Sequence, residues 1–270
     1  MDAFELYNLL QYMITLIDPD PYPELLDYCA EIMNEDECTV TEDPCEIANR
    51  FFELDEPADL PSEVIDTAIE LYKAAFEAGD ADAMNDLGAR FYDGTRGFEQ
   101  DYSKAVECYT LAAKNGSRLA QENLGYCYYY GRNVPVDYEK AFHYFALGAF
   151  DGHIVSLYKI GDMYAKGYYV SKNEEEAFRI YERCLDTMTE EYAHRCAGPV
   201  YLRMGRAFLT GAGTEKNAES ALICFQKAEL FLYNLVRDGD EMYRKSLREA
   251  VEGQEKARKV LERGLPEKSR

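Results

Sequence analysis

Small and large apolar residues recur at a helical spacing in four segments of the chain. The segments are AMNDLGARFYDG from Ala83, AQENLGYCYYYG from Ala120, SLYKIGDMYAKG from Ser156 and VYLRMGRAFLTG from Val200. In each one a small residue, a large aliphatic residue and an aromatic residue lie at positions i, i+4 and i+8, which share one face of a helix. The pattern predicts one amphipathic helix per segment.

A glycine stands at the same place inside each predicted helix. These glycines, Gly88, Gly125, Gly161 and Gly205, are 37, 36 and 44 residues apart. A glycine inside a helix costs about 1 kcal/mol relative to alanine, so its recurrence predicts a neighbouring helix too close for a β-carbon. A second set is predicted to end the same helices, namely Gly94, Gly131, Gly167 and Gly211.

A second helix is predicted after each of these segments. Its capping residues are Asp101, Asp137, Asn173 and Asn217. Its buried stripe combines small and aromatic residues at i, i+4 and i+7. The four stripes are Ala105, Tyr109, Ala112; Ala141, Phe145, Gly148; Ala177, Tyr181, Cys184; and Ala221, Phe225, Ala228. Each unit is therefore a helix-turn-helix of about 36 residues.

The combined motif resembles a known repeat. A-x-x-x-L-G-x-x-Y-x-x-G, followed by D-Y-x-K-A from Asp101 and D-Y-E-K-A from Asp137, is similar to the Sel-one-like branch of the tetratricopeptide superfamily. The similarity covers 83–188 and 199–232, and in degenerate form 44–79. It implies an all-α fold, a right-handed α-α superhelix (solenoid) of helix-turn-helix repeats of about 36 residues, and a binding scaffold that is not an enzyme.

The repeat predicts the following organisation of the chain. We expect an acidic N-terminal helical cap at 1–43, a degenerate repeat at 44–79, repeats at 80–116, 117–152, 153–188 and 199–235, an insertion at 189–198 and a C-terminal capping helix at 236–270. The cap should form two helices, from Ala3 to Ile17 and from Pro23 to Met33, separated by Asp18-Pro19-Asp20-Pro21. The spacing from Gly161 to Gly205 is longer than the other two. The additional residues, near 189–198, are expected to lengthen the second helix of the preceding repeat or to insert a loop.

Charge is distributed unevenly along the chain. The 51 acidic and 29 basic residues give a net charge of -22, which disfavours nucleic acid as a ligand. Residues 1–63 hold 18 acidic residues and one basic residue, Arg50, whereas 241–270 hold nine basic and six acidic residues. The acidic segment is either a solvated face or an electrostatic guide for a basic partner.

The beginning of the chain lacks the features of a signal peptide, and no apolar run reaches membrane-spanning length. We therefore expect a cytoplasmic, monomeric protein without membrane contact, whose eight cysteines are reduced. The cysteines do not recur at the repeat interval. Disulfide-rich members of the repeat class, by contrast, carry a regular cysteine pair. Some of those members have been proposed to act on cell-wall-related small molecules, and a regulatory or hydrolytic role of this kind is the alternative function.

No catalytic motif is present, and no cofactor is predicted. The strongest metal candidate is Cys184, His194 and Cys196, whose ligand atoms would suit zinc. Their spacing matches no zinc module, and Cys184 occupies a position that is alanine in sister repeats. Core packing is therefore the favoured interpretation, and no metal site is predicted.

The remaining candidate site follows from the resemblance. In tetratricopeptide-like stacks the first helix of each pair lines a concave groove, with positions three before, one after and four after the glycine pointing inward. The protein-binding groove is thus predicted at Asn85, Tyr92, Glu122, Tyr126, Tyr129, Tyr158, Asp162, Leu202, Arg206 and Leu209. The four tyrosines would anchor an unknown protein or peptide, and Glu122, Asp162 and Arg206 would set its charge preference. Alternatively, the tyrosines pack between helices.

Overall fold

The computed structural model describes residues 1–54 and 59–264. Helices account for 74% of the described residues, which confirms the all-α fold. The chain divides into two compact units, Met1–Asp137 and the part from Tyr138 onward.

The described part of the first unit contains seven helices. They are α1 (Ala3–Leu16), α2 (Pro23–Ile32), α3 (Pro44–Phe51), α4 (Ser62–Glu77), α5 (Ala81–Asp93), α6 (Tyr102–Lys114) and α7 (Arg118–Tyr130). From α3 to α7 each helix contacts the next one along the chain. Residues 55–58, which belong to the predicted degenerate repeat, lie outside the described residues.

A short hairpin between α2 and α3 was not predicted. Strand β1 (Met33–Asn34) pairs antiparallel with β2 (Thr39–Val40), and this is the only sheet in the described residues. The Tyr28 hydroxyl of α2 donates a hydrogen bond to the Glu42 carboxylate that follows β2. Two-residue strands leave no apolar alternation for a sequence pattern to detect.

The second unit contains six α-helices in its described residues. They are α8 (Tyr138–Phe150), α9 (Ile154–Lys166), α10 (Glu174–Thr187), α11 (Glu190–Thr210), α12 (Ala218–Arg237) and α13 (Arg244–Gly264), with a 3-10 turn at Glu241–Tyr243. We call α3, α5, α7, α9 and α11 the first helices of the repeats, and α4, α6, α8, α10 and α12 the second helices.

The structure corrects the interpretation of 189–198. These residues neither lengthen α10, which ends at Thr187, nor form a loop, because from Glu190 onward they are the first turns of α11. The first turns of α11 pack on α12, which is also longer than the other second helices. A β-carbon at Gly198 of α11 would lie 2.8 Å from Leu232 Cγ of α12. Both helices of the repeat formed by α11 and α12 are therefore longer than those of the other repeats.

Close helix crossings at the repeat glycines are confirmed for three repeats. A β-carbon at Gly88, Gly161 or Gly205 would lie 2.8, 2.6 or 2.8 Å from the ring of Tyr109, Tyr181 or Phe225 on the following helix. Real β-carbons do not approach ring atoms so closely, so only glycine fits without repacking.

A close helix crossing at a glycine also occurs on the last helix, α13, and was not predicted. A β-carbon at Gly253 of α13 would lie 2.6 Å from the Phe225 ring. The ring is therefore held between Gly205 on α11 and Gly253 on α13. Apolar residues of α12 and α13 complete this core, including Ala228, Leu232, Ala250 and Ala257.

The predicted helix ends are also confirmed. Gly94, Gly131, Gly167 and Gly211 end α5, α7, α9 and α11 in the left-handed conformation. The side chains of Asp101, Asn173 and Asn217 accept backbone N–H hydrogen bonds at the starts of α6, α10 and α12.

Candidate protein-binding surface

Asp162 of α9 lies in the interior of the second unit, where it is 8% exposed. Arg203 of α11 donates hydrogen bonds from Nε and Nη2 to its two carboxylate oxygens, each at 2.6 Å. Tyr181 of α10 donates its hydroxyl to Oδ1 at 2.9 Å. Burial raises the pKa of Asp162, but the Arg203 guanidinium outweighs this effect and holds the pKa below its usual value. Asp162 is thus an ionised link between three helices.

An equivalent link joins three helices of the first unit. Asn49 of α3 accepts a hydrogen bond from the Tyr72 hydroxyl of α4 at 2.7 Å and donates one from Nδ2 to Asp86 of α5 at 2.9 Å. Asn49 follows Ala48 just as Asp162 follows Gly161. Ala48 stands where the other repeats have glycine. In both units, therefore, the residue after this position binds a tyrosine of the second helix and a side chain on the first helix of the next repeat.

Arg206 makes a simpler link, which joins two helices. It follows Gly205 and donates hydrogen bonds from Nε and Nη2 to the Glu249 carboxylate of α13. Both side chains are partly exposed, 46% and 40%. Asp162 and Arg206, predicted to set the charge preference of a partner, are therefore both bonded within the second unit.

The partners of these links were missed by the sequence reasoning, although a signal for them exists. A charged or amide side chain stands two residues before every repeat glycine: Asp86, Asn123, Lys159 and Arg203. In the first unit Asn123 also donates a hydrogen bond to Asn85 at 2.9 Å. This position is therefore one at which successive first helices meet.

Half of the predicted groove lies inside the protein. Asn85, Tyr129, Tyr158, Asp162 and Leu202 are 5, 6, 6, 8 and 2% exposed. The physical reason is that first helices contact each other, α5 with α7 and α9 with α11, so each partly covers the face that was predicted to be open. The Tyr158 ring, for example, lies 4.5 Å from the Arg203 guanidinium, and these five side chains belong to the core.

The other half of the set reaches the surface. Tyr92, Glu122, Tyr126 and Leu209 are half-buried, and Arg206 is exposed. The Tyr92 ring lies edge-on to Tyr102 at 5.0 Å, and the Tyr126 ring stacks on Tyr130 at 6.2 Å. Of the predicted anchors, Tyr92 and Tyr126 are therefore the two that a partner can touch.

An arginine contacts the first of these ring pairs. The Arg132 guanidinium lies 5.0 Å above the Tyr102 ring. Burial raises the pKa of Tyr92, while a hydrogen bond with Arg132 acts in the opposite direction. We call Tyr92, Tyr102, Tyr126, Tyr130 and Arg132 the tyrosine surface of the first unit.

The second unit has a narrow cleft between α9, α10 and α11. Its volume is about 170 Å³, and Phe178, Tyr181 and Ala207 are among the residues that line it. Pockets for small organic ligands are typically about 300–1,000 Å³. The cleft therefore has room for a single side chain and is too small for a metabolite of ordinary size.

Cys184, His194 and Cys196 do not form a metal site. Cys184 and Cys196 are buried, whereas the imidazole of His194 is 53% exposed and its Nε2 lies 3.9 Å from Asp238. Throughout the described ranges, no three histidine, cysteine, aspartate or glutamate side chains are placed to hold a metal ion. None of the eight cysteines is in a disulfide.

These features define a class of protein. Helix pairs with glycine–aromatic crossings, linked through polar side chains of successive first helices, are a tetratricopeptide-like α-solenoid. The Sel1 repeat model matches residues 58–80, 81–117, 118–153, 154–183 and 199–229, together more than half of the sequence. The chain belongs to the Sel1 repeat family.

Two solved structures share the fold. The Sel1 repeat protein from Oxalobacter formigenes has a TM-score of 0.54 at 23% identity, over 75% of this chain and 78% of that one. A protective antigen of uropathogenic Escherichia coli strains with an SLR fold has a TM-score of 0.51 at 18% identity, over 88% of this chain and 56% of that one. At these identities the likeness concerns the fold alone.

Among curated proteins, Protein sel-1 homolog 2 of Mus musculus and of Rattus norvegicus are each 40% identical over 70 residues, or 26% of this chain. The match spans 10% of those proteins. Sel1 repeat proteins are generally protein-interaction scaffolds and are mostly not enzymes. None of the described helices combines the length and the hydropathy that a membrane-spanning segment requires.

Proposed function

We propose that this protein is a scaffold that binds a protein or extended peptide through the tyrosine surface of its first unit. The observation that carries the proposal is the placement of half-buried Tyr92 and Tyr126 at the ends of two successive first helices. Neighbouring rings hold both side chains, so a partner would order little that is mobile. Rigid aromatic side chains of this kind are common binding hot spots.

Charge favours a basic partner for this surface. Glu122 lies one turn before Tyr126 on α7, and residues 1–63 of the same unit carry 18 acidic side chains and one basic one. Arg132 offsets one of these charges, and the acidic field of the unit steers basic ligands and repels acidic ones. Lysine or arginine side chains also bind the faces of exposed tyrosines.

A peptide-display selection against the full chain tests the proposal. We expect the selected peptides to be enriched in lysine and arginine. The double change Tyr92→Ala with Tyr126→Ala should weaken their binding by about 30-fold or more, because a hot-spot aromatic contributes roughly 2 kcal/mol. Isothermal titration calorimetry gives the affinities, and thermal melting should show a small change.

Two exposed tyrosines of the second unit provide a matched control. Tyr192→Ala with Tyr233→Ala removes the same atoms from side chains that are 37% and 56% exposed. This variant should bind the peptides as the wild type does. If Tyr92→Ala with Tyr126→Ala leaves the affinity unchanged, the tyrosine surface is not the binding site.

A further inference from the structure

A line of basic side chains runs along the exposed face of α13. Its members follow each other at spacings of three and four residues, which places them on one helix face: Lys245, Arg248, Glu252, Lys256, Lys259 and Arg263. All six are exposed and five are cationic. The buried positions of α13, including Ala250, Gly253 and Ala257, face the opposite way. We call the five cations the basic stripe.

The cations of the basic stripe have no partner within the described ranges. Other arginines of the same unit are paired: Arg206 with Glu249, Arg237 with Asp238 and Arg244 with Glu241. Like charges three or four residues apart on a helix destabilise it by about 0.2–0.5 kcal/mol per pair. The five cations outnumber the single carboxylate on this face, that of Glu252, on a chain of net charge -22, and an acidic ligand would relieve the repulsion between neighbouring cations.

The chain itself contains the complementary surface. Residues 1–43 hold 12 acidic side chains and neither lysine nor arginine. On α1 of this segment Phe4, Tyr12 and Leu16 are 58, 66 and 47% exposed, at a spacing that places them along one face. Tyr12 and Leu16 are one turn apart, so they form adjoining apolar surface on this helix. The acidic cap thus combines charge with apolar contact area.

We propose that the basic stripe of α13 binds the acidic cap, residues 1–43, of a second copy of this chain. Opposite charge orients the two surfaces, and the side chains of Val251 and Val260, which are 40 and 50% exposed, flank the stripe on its two sides. The two surfaces differ, so the contact is head-to-tail and each added copy presents a new free surface. Under this proposal the protein forms reversible chains, in contrast to the monomer expected from the sequence.

A second copy fits better than other acidic ligands. The net charge of -22 repels a second copy as well as nucleic acid and anionic lipid, so it is the local contact that distinguishes these ligands. The acidic cap of another copy adds apolar contacts that a phosphate backbone does not offer. Binding of nucleic acid or vesicles without self-association is an outcome that rejects the proposal.

Sedimentation velocity of the full chain measures the association. At about 20 mM salt the mean mass should rise continuously between about 1 and 200 µM without stopping at one size, and at about 500 mM salt it should fall to that of a monomer, because screening shortens the range of surface charges. A single monomeric species under all these conditions would overturn the proposal.

Charge reversal separates the stripe from total charge. Lys245→Glu with Lys256→Glu and Lys259→Glu should weaken self-association at least tenfold. Lys114→Glu with Arg183→Glu and Lys216→Glu changes the net charge by the same amount at exposed sites elsewhere, and should have less than a threefold effect. Equal effects of the two triple variants would show that no local contact is involved.

Mixing the chains tests the direction of the contact. A chain with a reversed stripe keeps its acidic cap, so the cap should bind the basic stripe of a wild-type chain. Its own stripe can no longer bind a cap, so growth of the oligomer should stop there. Substoichiometric variant should therefore shorten the wild-type oligomers, whereas the control triple variant should not. If the reversed-stripe variant melts below the wild type, Tyr12→Ser tests the apolar face of α1 instead. Tyr12→Ser without effect on self-association contradicts the proposal.

Discussion

On folding, the Asp162 carboxylate leaves water and accepts three hydrogen bonds, two from Arg203 and one from Tyr181. Removing one member of such a buried charge pair leaves the other charge buried without compensation. The free energy of unfolding then falls by roughly 3–5 kcal/mol. Asp162 therefore acts as a structural link first, and only a partner that replaced Arg203 could use it as a contact.

Asp162→Asn should lower the free energy of unfolding by roughly 3 kcal/mol at neutral pH, because Arg203 loses its counter-charge. The folded-state pKa of Asp162 lies below the ordinary value of 3.8. The stabilisation is therefore complete above the unfolded-state pKa and is lost as the pH falls through the folded-state pKa. Urea unfolding should show a constant difference from wild type between about pH 5 and 7, and a shrinking one below about pH 4.

Arg206→Gln is the control for the Asp162 variant. It breaks the exposed pair with Glu249 and should cost less than about 1 kcal/mol, because surface ion pairs are screened by water and salt. If Asp162→Asn costs no more than Arg206→Gln, the buried link contributes no more than a surface contact does.

The thiols should differ strongly in reactivity. Burial raises the pKa of Cys29 and of Cys184 to about 12, so almost no reactive thiolate forms near neutral pH. Cys38 follows β1 on the surface and is half-exposed. N-ethylmaleimide followed by peptide mapping should label Cys38 first in the folded protein and all eight cysteines after denaturation. Rapid labelling of Cys184 in the folded protein would mean that α10 and α11 separate readily.

The helix pairs could be predicted because glycine occupies equivalent positions in successive repeats, where the backbone geometry requires it. Gly88, Gly161 and Gly205 admit a ring, and Gly94 ends its helix with a positive φ. Such positions constrain the backbone directly, so their spacing alone identifies the fold.

The extension of α11 was harder to predict. Pro199 lies inside this helix, although proline usually begins a helix or interrupts it. The extra turns are stabilised by Gly198 against Leu232, which is a contact between helices and not a property of one segment. Gly253 was missed because it lies in α13, outside the repeats, so its position does not recur along the chain.

Gly253→Ala should destabilise the protein, contrary to the usual effect of alanine in a helix. Alanine is intrinsically better by about 1 kcal/mol, but its β-carbon would lie 2.6 Å from the Phe225 ring, which Gly205 blocks on the other side. Overpacking of this kind typically costs about 1–3 kcal/mol.

Phe225→Leu should reverse the sign of the Gly253 effect. The smaller side chain makes room for a β-carbon, so Gly253→Ala in that background should be neutral or stabilising. A double-mutant cycle by thermal melting measures the coupling. Additive changes would show that Gly253 and the ring do not contact each other.

At the scale of the whole molecule, the sequence located the candidate surface only in part. Periodicity shows which residues share a helix face, but not how closely the next first helix covers that face. Tyr126 and Tyr129 have the same spacing pattern as the other groove positions, yet Tyr126 reaches the surface whereas Tyr129 is 6% exposed. Local patterns cannot separate these outcomes, because burial depends on the contact between α5 and α7.

The acidic field and the tyrosine surface should affect different rate constants. With a basic peptide from the selection described above, Asp27→Asn with Glu31→Gln and Asp36→Asn should lower the association rate and its dependence on salt, because steering acts before contact. Tyr92→Ala with Tyr126→Ala should instead raise the dissociation rate and leave association nearly unchanged, because anchors act after contact. Stopped-flow fluorescence over about 20–300 mM salt separates the two. If neutralising the three carboxylates leaves association unchanged at low salt, the charge of the first unit is a solvated face without a role in guiding a partner.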